Sequence, residues 1–198
     1  RSITNKLAAS TSMDVLSFDY RLAPEHPYPA ALNDAVKVWD YLMYLGYGAR
    51  DVILAGDSAG GNLALVLTLM LKEQHRILPR GLVLFSPWTD LTRSGRSHRN
   101  RNVVDPILTE EYLTRAIRDY AADADLQDPF LSPLYGNFHN FPPTLIQAGS
   151  NGLLLSDAQD LHKQMIRHQA GARITVYQGM WHVFQMSPFK TAYEAMDQ

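Results

Sequence analysis

Gly56-Asp57-Ser58-Ala59-Gly60-Gly61 follows the apolar run Asp51-Val52-Ile53-Leu54-Ala55 and precedes Asn62-Leu63-Ala64-Leu65-Val66-Leu67-Thr68-Leu69-Met70-Leu71. The first run reads as a strand and the last as a buried helix, so a serine with glycines two residues to either side falls on a strand-to-helix junction. That is the nucleophile-elbow pattern. The serine sits on a sharp, strained turn, where side chains at Gly56 and Gly60 are expected to collide. The helix that follows aims backbone N–H groups and the positive end of its dipole at the serine oxygen.

Working outward, short apolar runs alternate with longer helical patterns. Val15–Phe18, Val52–Ala55, Leu82–Phe85, Leu145–Ala148 and Ile174–Tyr177 are the candidate strands. Most are nearly continuous in apolar character, as parallel strands covered on both faces are. Between them, Ala35, Val38, Leu42 and Leu45 share a helical stripe that Gly46 can stop. Ser156 and Gln159 have the spacing of a capping box ahead of Leu161 and Met165. This alternation predicts an α/β fold with a mainly parallel sheet and helices on both faces, over one domain spanning 1–198. Residues 87–141 break the rhythm. They carry Arg93, Arg96, Arg99 and Arg101, then a helical pattern from Thr109 to about Tyr120, and read as an excursion at the strand ends with the arginines on a solvated face.

Bulk composition narrows the function classes. The chain has 198 residues, 46% of them hydrophobic and 19% charged, with a net charge of −2. That length gives a substantial core, and the charge gives no reason to expect nucleic acid or an anionic membrane as partner. There is no cysteine, which excludes disulfides and thiolate metal sites and is compatible with a cytoplasmic setting. The longest apolar run, Leu63 to Leu71, is too short to span a bilayer.

A serine hydroxyl needs a positioned base to act as a nucleophile at neutral pH. Of seven histidines, His182 is the candidate, because Gly179-Met180-Trp181-His182-Val183-Phe184 lies just past the last strand. Residues beyond the carboxyl ends of parallel strands converge on one crevice, and Ser58 and His182 both hold such positions. The expectation is that the two side chains face each other within hydrogen-bond reach. His75, His98, His162 and His168 read as surface or packed residues.

Together these residues resemble the hormone-sensitive-lipase family of α/β-hydrolases, the bacterial family IV esterases. Besides residues 56–61, the run Asp19-Tyr20-Arg21-Leu22-Ala23-Pro24-Glu25-His26-Pro27-Tyr28-Pro29-Ala30-Ala31 carries the resemblance. Ser86-Pro87-Trp88-Thr89-Asp90-Leu91 and Asp128-Pro129-Phe130-Leu131-Ser132-Pro133-Leu134 extend it. The resemblance implies hydrolysis of small carboxylic esters through an acyl-enzyme on Ser58, with His182 as base and then acid. It implies that the Ala59 N–H donates to the oxyanion and that no metal or cofactor takes part. His26 and Asp57 are expected to support the turns around the site. The rival readings are a non-catalytic ligand-binding protein on the same scaffold and a serine peptidase of the same fold.

Two departures from the family pattern stand out. The family places its acid thirty residues before the histidine, where this chain has Gly152. A glycine cannot orient an imidazole, and loss of the acid alone costs about 10⁴ in kcat. Asp157 is the nearest carboxylate and the alternative acid, although it equally suits a helix N-terminus behind Ser156. The family also carries a His-Gly-Gly-Gly oxyanion loop upstream of the helix that begins near Arg1. The expectation is a chain truncated at its N-terminus, without that loop and without the strand between Val15–Phe18 and Val52–Ala55. The open strand edges would then favour self-association.

Overall fold

The computed structural model describes residues 2–100 and 105–198. Four strands, β1 (Ile53–Asp57), β2 (Gly81–Phe85), β3 (Thr144–Gly149) and β4 (Ala172–Tyr177), form one sheet in that order. All three pairings are parallel, and Asp57, Phe85, Gln147 and Thr175 stand at one level across them. The chain therefore leaves every strand on the same side of the sheet, and Ser58 and His182 both lie beyond that side.

The strand expected at Val15–Phe18 does not form. The segment carries no regular secondary structure, no strand among the described residues pairs with it, and Val15 and Leu16 are 39% and 58% exposed. An apolar run becomes a strand only where a neighbour completes its hydrogen bonds. Phe18 instead meets Tyr20 edge-on and packs against the cluster of Leu32, Trp39, Leu63 and Val66.

The helices are α1 (Ser2–Thr11), α2 (Ala30–Tyr44), α3 (Ala59–Glu73), α4 (Glu110–Ala121), α5 (Leu155–Arg167) and α6 (Lys190–Met196). α3 is buried almost throughout, with Leu65 and Val66 fully covered. Truncating such a leucine to alanine costs ~2–5 kcal/mol. α2 buries Ala31, Leu32, Ala35 and Trp39, so its inward face is centred one turn earlier than the expected stripe, and Leu45 is exposed. It ends as expected at Gly46, whose φ of +94° suits a residue without a Cβ.

α4 begins where the sequence places it. Thr109 Oγ1 accepts the Tyr112 N–H at 3.1 Å, and Leu113 and Ala121 pack with Trp88, Leu91, Leu131 and Leu154. The capping box at Ser156 does not form. Ser156 lies inside α5, and its hydroxyl sits 2.6 Å from Ser97 Oγ in the excursion. That tertiary bond displaces the local one. Among the described residues no helix is long and apolar enough to cross a membrane.

Candidate active site

Ser58 joins β1 to α3 with φ +54° and ψ −119°, a conformation that costs a non-glycine residue about 1–3 kcal/mol. Three backbone bonds hold it there. Its N–H donates to Phe85 O at 3.0 Å, and its carbonyl accepts from Asn62 N at 3.2 Å and Trp88 N at 3.1 Å. The glycines divide the work unequally. A Cβ on Gly56 would stand 2.2 Å from Gly60 O, whereas a Cβ on Gly60 would meet nothing within 4 Å. The expected collision at Gly60 is therefore absent. The second tight position is Gly61, where a Cβ would stand 2.9 Å from the Pro87 side chain. Ala59 opens α3, at the end of the helix dipole where developing negative charge is favoured.

Ser58 lines a cavity of about 330 Å³ walled by Tyr20, Leu63, Trp88, Leu113 and Tyr120. Asn62, which the sequence reading passed over, fixes the roof. Its buried side-chain amide donates to Trp88 O and Leu131 O, both at 2.9 Å, and so ties the excursion to α3. A buried asparagine in the second turn of an otherwise apolar helix is the signal that could have marked it.

His182 follows β4 and is 4% exposed. Burial pulls its pKa down to about 4, against an opposing pull from the Asp105 carboxylate. Its Nδ1 is buried with no hydrogen-bond partner among the described residues. No hydrogen bond joins His182 to Ser58 among them either. The two are connected instead through one dipeptide of the β2 end. Phe85 O accepts the Ser58 N–H, and Ser86 Oγ accepts the N–H of Val183, next to His182, at 3.3 Å. Ser86 and Val183 both have positive φ, +45° and +49°. For a β-branched valine that is a marked departure, and it falls beside the candidate base.

Gly152 lies where the family's spacing places the acid. A Cβ there would stand 3.5 Å from His182 N and 3.7 Å from His182 Cα, so the position backs the histidine and offers it no charge. Asp157, the alternative acid, is committed elsewhere. Its Oδ1 accepts from Thr89 N and Asp90 N, both at 3.0 Å, and its Oδ2 lies 2.7 Å from His98 Nε2. Both its oxygens are used, in a site where its side chain and that of His98 are each 1% exposed. The carboxylate serves the excursion and not His182, because three donors close on it where the chain returns over α5.

The neighbouring residues act mainly through the backbone. His26 has an exposed ring, and only its N–H closes the turn, onto Leu22 O at 2.9 Å. Asp57 ends β1, and burial pushes its carboxyl up. Asp90 is buried and accepts from the backbone and hydroxyls of Thr92 and Ser94, which hold its carboxyl below the usual range against the opposing effect of burial. Of the arginines, Arg93 pairs with Glu110 at 3.0 Å, Arg96 and Arg99 are exposed, and Arg101 lies outside the described residues. Among the described residues no group of three or more His, Asp or Glu side chains could hold a metal ion.

Comparison with known proteins matches this arrangement. A family profile described as alpha/beta hydrolase fold covers residues 1–186. An esterase of Acinetobacter venetianus is 41% identical over 188 residues, which is 94% of this chain and 62% of that protein. An ethyl acetate hydrolase of Pseudomonas putida is 33% identical, over 90% of this chain and 58% of its own length. The chain thus spans about six-tenths of the curated relatives it matches. The crystal structure of a hormone-sensitive-lipase homologue from a metagenome library superposes with a TM-score of 0.95 at 35% identity, covering 98% of this chain and 68% of that one. With its strained serine between parallel strand and helix and its histidine beyond the last strand, this chain belongs to the hormone-sensitive-lipase family of α/β-hydrolases.

Proposed function

We propose that the protein hydrolyses carboxylic esters with short or medium acyl chains through an acyl-enzyme on Ser58. The observation that carries this reading is the strained Ser58 at the head of α3, opening on an apolar cavity of about 330 Å³. His182 takes the hydroxyl proton as Ser58 Oγ attacks the ester carbonyl, and the Ala59 N–H donates to the oxygen that becomes anionic. The alcohol leaves with the proton from His182. Water then repeats the sequence, releasing the acid and restoring Ser58. The names of the esterase and ethyl acetate hydrolase relatives support the same chemistry.

The test is the intact mass of the chain after treatment with a serine-directed organophosphate, alongside hydrolysis of p-nitrophenyl acetate and butyrate. One adduct that S58A abolishes, together with turnover, is the expected result. A chain that binds an ester yet neither labels nor turns over is a binding protein on this scaffold. Two further parts belong to this proposal. Self-association is supported by β1, which stands at the sheet edge with Ile53 40% exposed. A cytoplasmic setting is supported by the cysteine-free sequence.

A further inference from the structure

His182 lies 4% exposed beyond β4. Accepting a proton from Ser58 makes it an imidazolium in a buried site, and an uncompensated buried cation is strongly disfavoured. Gly152 supplies nothing, and both oxygens of Asp157 are engaged with Thr89, Asp90 and His98.

One other carboxylate comes to this wall. Asp105, in the first half of the excursion, accepts the Leu153 N–H on Oδ2 at 2.8 Å. Its Oδ1 accepts from Ile107 N at 2.9 Å and Leu108 N at 3.3 Å. Three backbone donors therefore fix the carboxylate beside the residue that follows Gly152, and Gly152 itself packs on the His182 backbone. The Asp105 carboxylate opposes the burial that pulls the His182 pKa down.

We propose that Asp105 is a positioning residue for His182, its fixed carboxylate lending, across the gap left by Gly152, the negative charge that steadies the imidazolium. This rests on the ester-hydrolysis reading above. The proton travels from Ser58 Oγ to His182 and on to the leaving alcohol, and Asp105 takes no part in the transfer. A carboxylate acting across a gap does less than one bonded to Nδ1, because Coulomb attraction falls with distance and with the dielectric between the charges. Its removal should therefore cost roughly tenfold to a hundredfold in kcat, short of the 10⁴ of a directly bonded acid.

The experiment compares wild type, D105N, D105S and D105N/G152E. Two quantities are read on each chain: kcat and KM with p-nitrophenyl acetate, and the His182 imidazole titration followed by NMR. Asn and Ser keep an acceptor for the backbone donors, so one neutral variant should remain folded. Loss of kcat with little change in KM, a His182 pKa lower than in wild type, and recovery of both in D105N/G152E are expected. A folded D105N or D105S whose His182 titrates as in wild type overturns the proposal. So does a loss of kcat that G152E leaves in place. If the wild-type chain shows no turnover, the ester-hydrolysis reading fails on that result, while the NMR titration still decides the role of Asp105.

Discussion

Gly152 stands against the His182 backbone: a Cβ built there lies 3.5 Å from the His182 backbone nitrogen and 3.2 Å from Gly149 O, a contact that needs that carbonyl to give by a few tenths of an ångström. The imidazole Nδ1 of His182 is buried and has no hydrogen-bond partner among the described residues. A carboxylate introduced at 152 should take that nitrogen as donor. Gly152→Glu or Gly152→Asp should raise kcat for short acyl esters by up to about 10⁴, with KM little changed. Steady-state kinetics on folded samples decide this, and no gain from either variant would show the missing acid is not what limits the site.

Asp157 and His98 predict the opposite pattern. They form a buried pair 2.7 Å apart that ties the excursion to α5. D157A should lower stability by about 3–5 kcal/mol, because it strands His98 and two backbone donors. Activity per folded molecule should change little. Urea melts together with active-site titration would separate the two effects. A normal melt with a collapsed kcat would restore Asp157 to the catalytic acid role.

The elbow glycines offer a paired test. G56A must push against Gly60 O from 2.2 Å and should open the turn, costing more than about 2 kcal/mol and abolishing organophosphate labelling at Ser58. G60A lies in α3 with open space around it and should be neutral, or stabilising by about 0.5 kcal/mol. Equal damage from both substitutions in thermal melts would contradict the geometry.

Burial holds His182 at about 4, below its ordinary 6.5, with Asp105 opposing. Between those values the unfolded chain binds the proton that the native chain refuses. Stability should therefore fall as pH drops from 6.5 toward 4, and should not change on this account above 6.5. The acid limb of kcat/KM should lie near 4 and move up in G152E. Melts of wild type and H182Q at pH 4.5 and 7 test the first statement. The acid-induced loss should be smaller in H182Q, and an equal loss in both would assign it to other groups.

The exposed edge at β1 predicts concentration-dependent association. Light scattering should show oligomers that I53K disperses, since a lysine on an edge strand discourages pairing. A monomer at all concentrations would show that the edge is protected in solution.

The elements legible in the sequence were those set by local rules. Gly56 and Ser58 announce the elbow because a close backbone approach leaves no room for a Cβ. The runs at β1, β2, β3 and β4 announce strands, although β1 leaves Ile53 and Ala55 exposed, Thr109 announces the start of α4, and the place of His182 after β4 follows from chain order. What a side chain bonds to at long range carries no such mark. Val15–Phe18 has the composition of a strand and, among the described residues, lacks a neighbour to pair with. Ser156 has the spacing of a cap and turns instead to Ser97, 59 residues away. Asp157 is the nearest carboxylate to Gly152 in sequence, yet it is drawn to His98 and two backbone N–H groups. Asp105 is distant in sequence and is brought to Leu153. Chain geometry repeats every two or 3.6 residues and can be read from spacing. The partner of a buried charge is set by which donors the finished packing brings within 3 Å of it, and only the tertiary structure decides that.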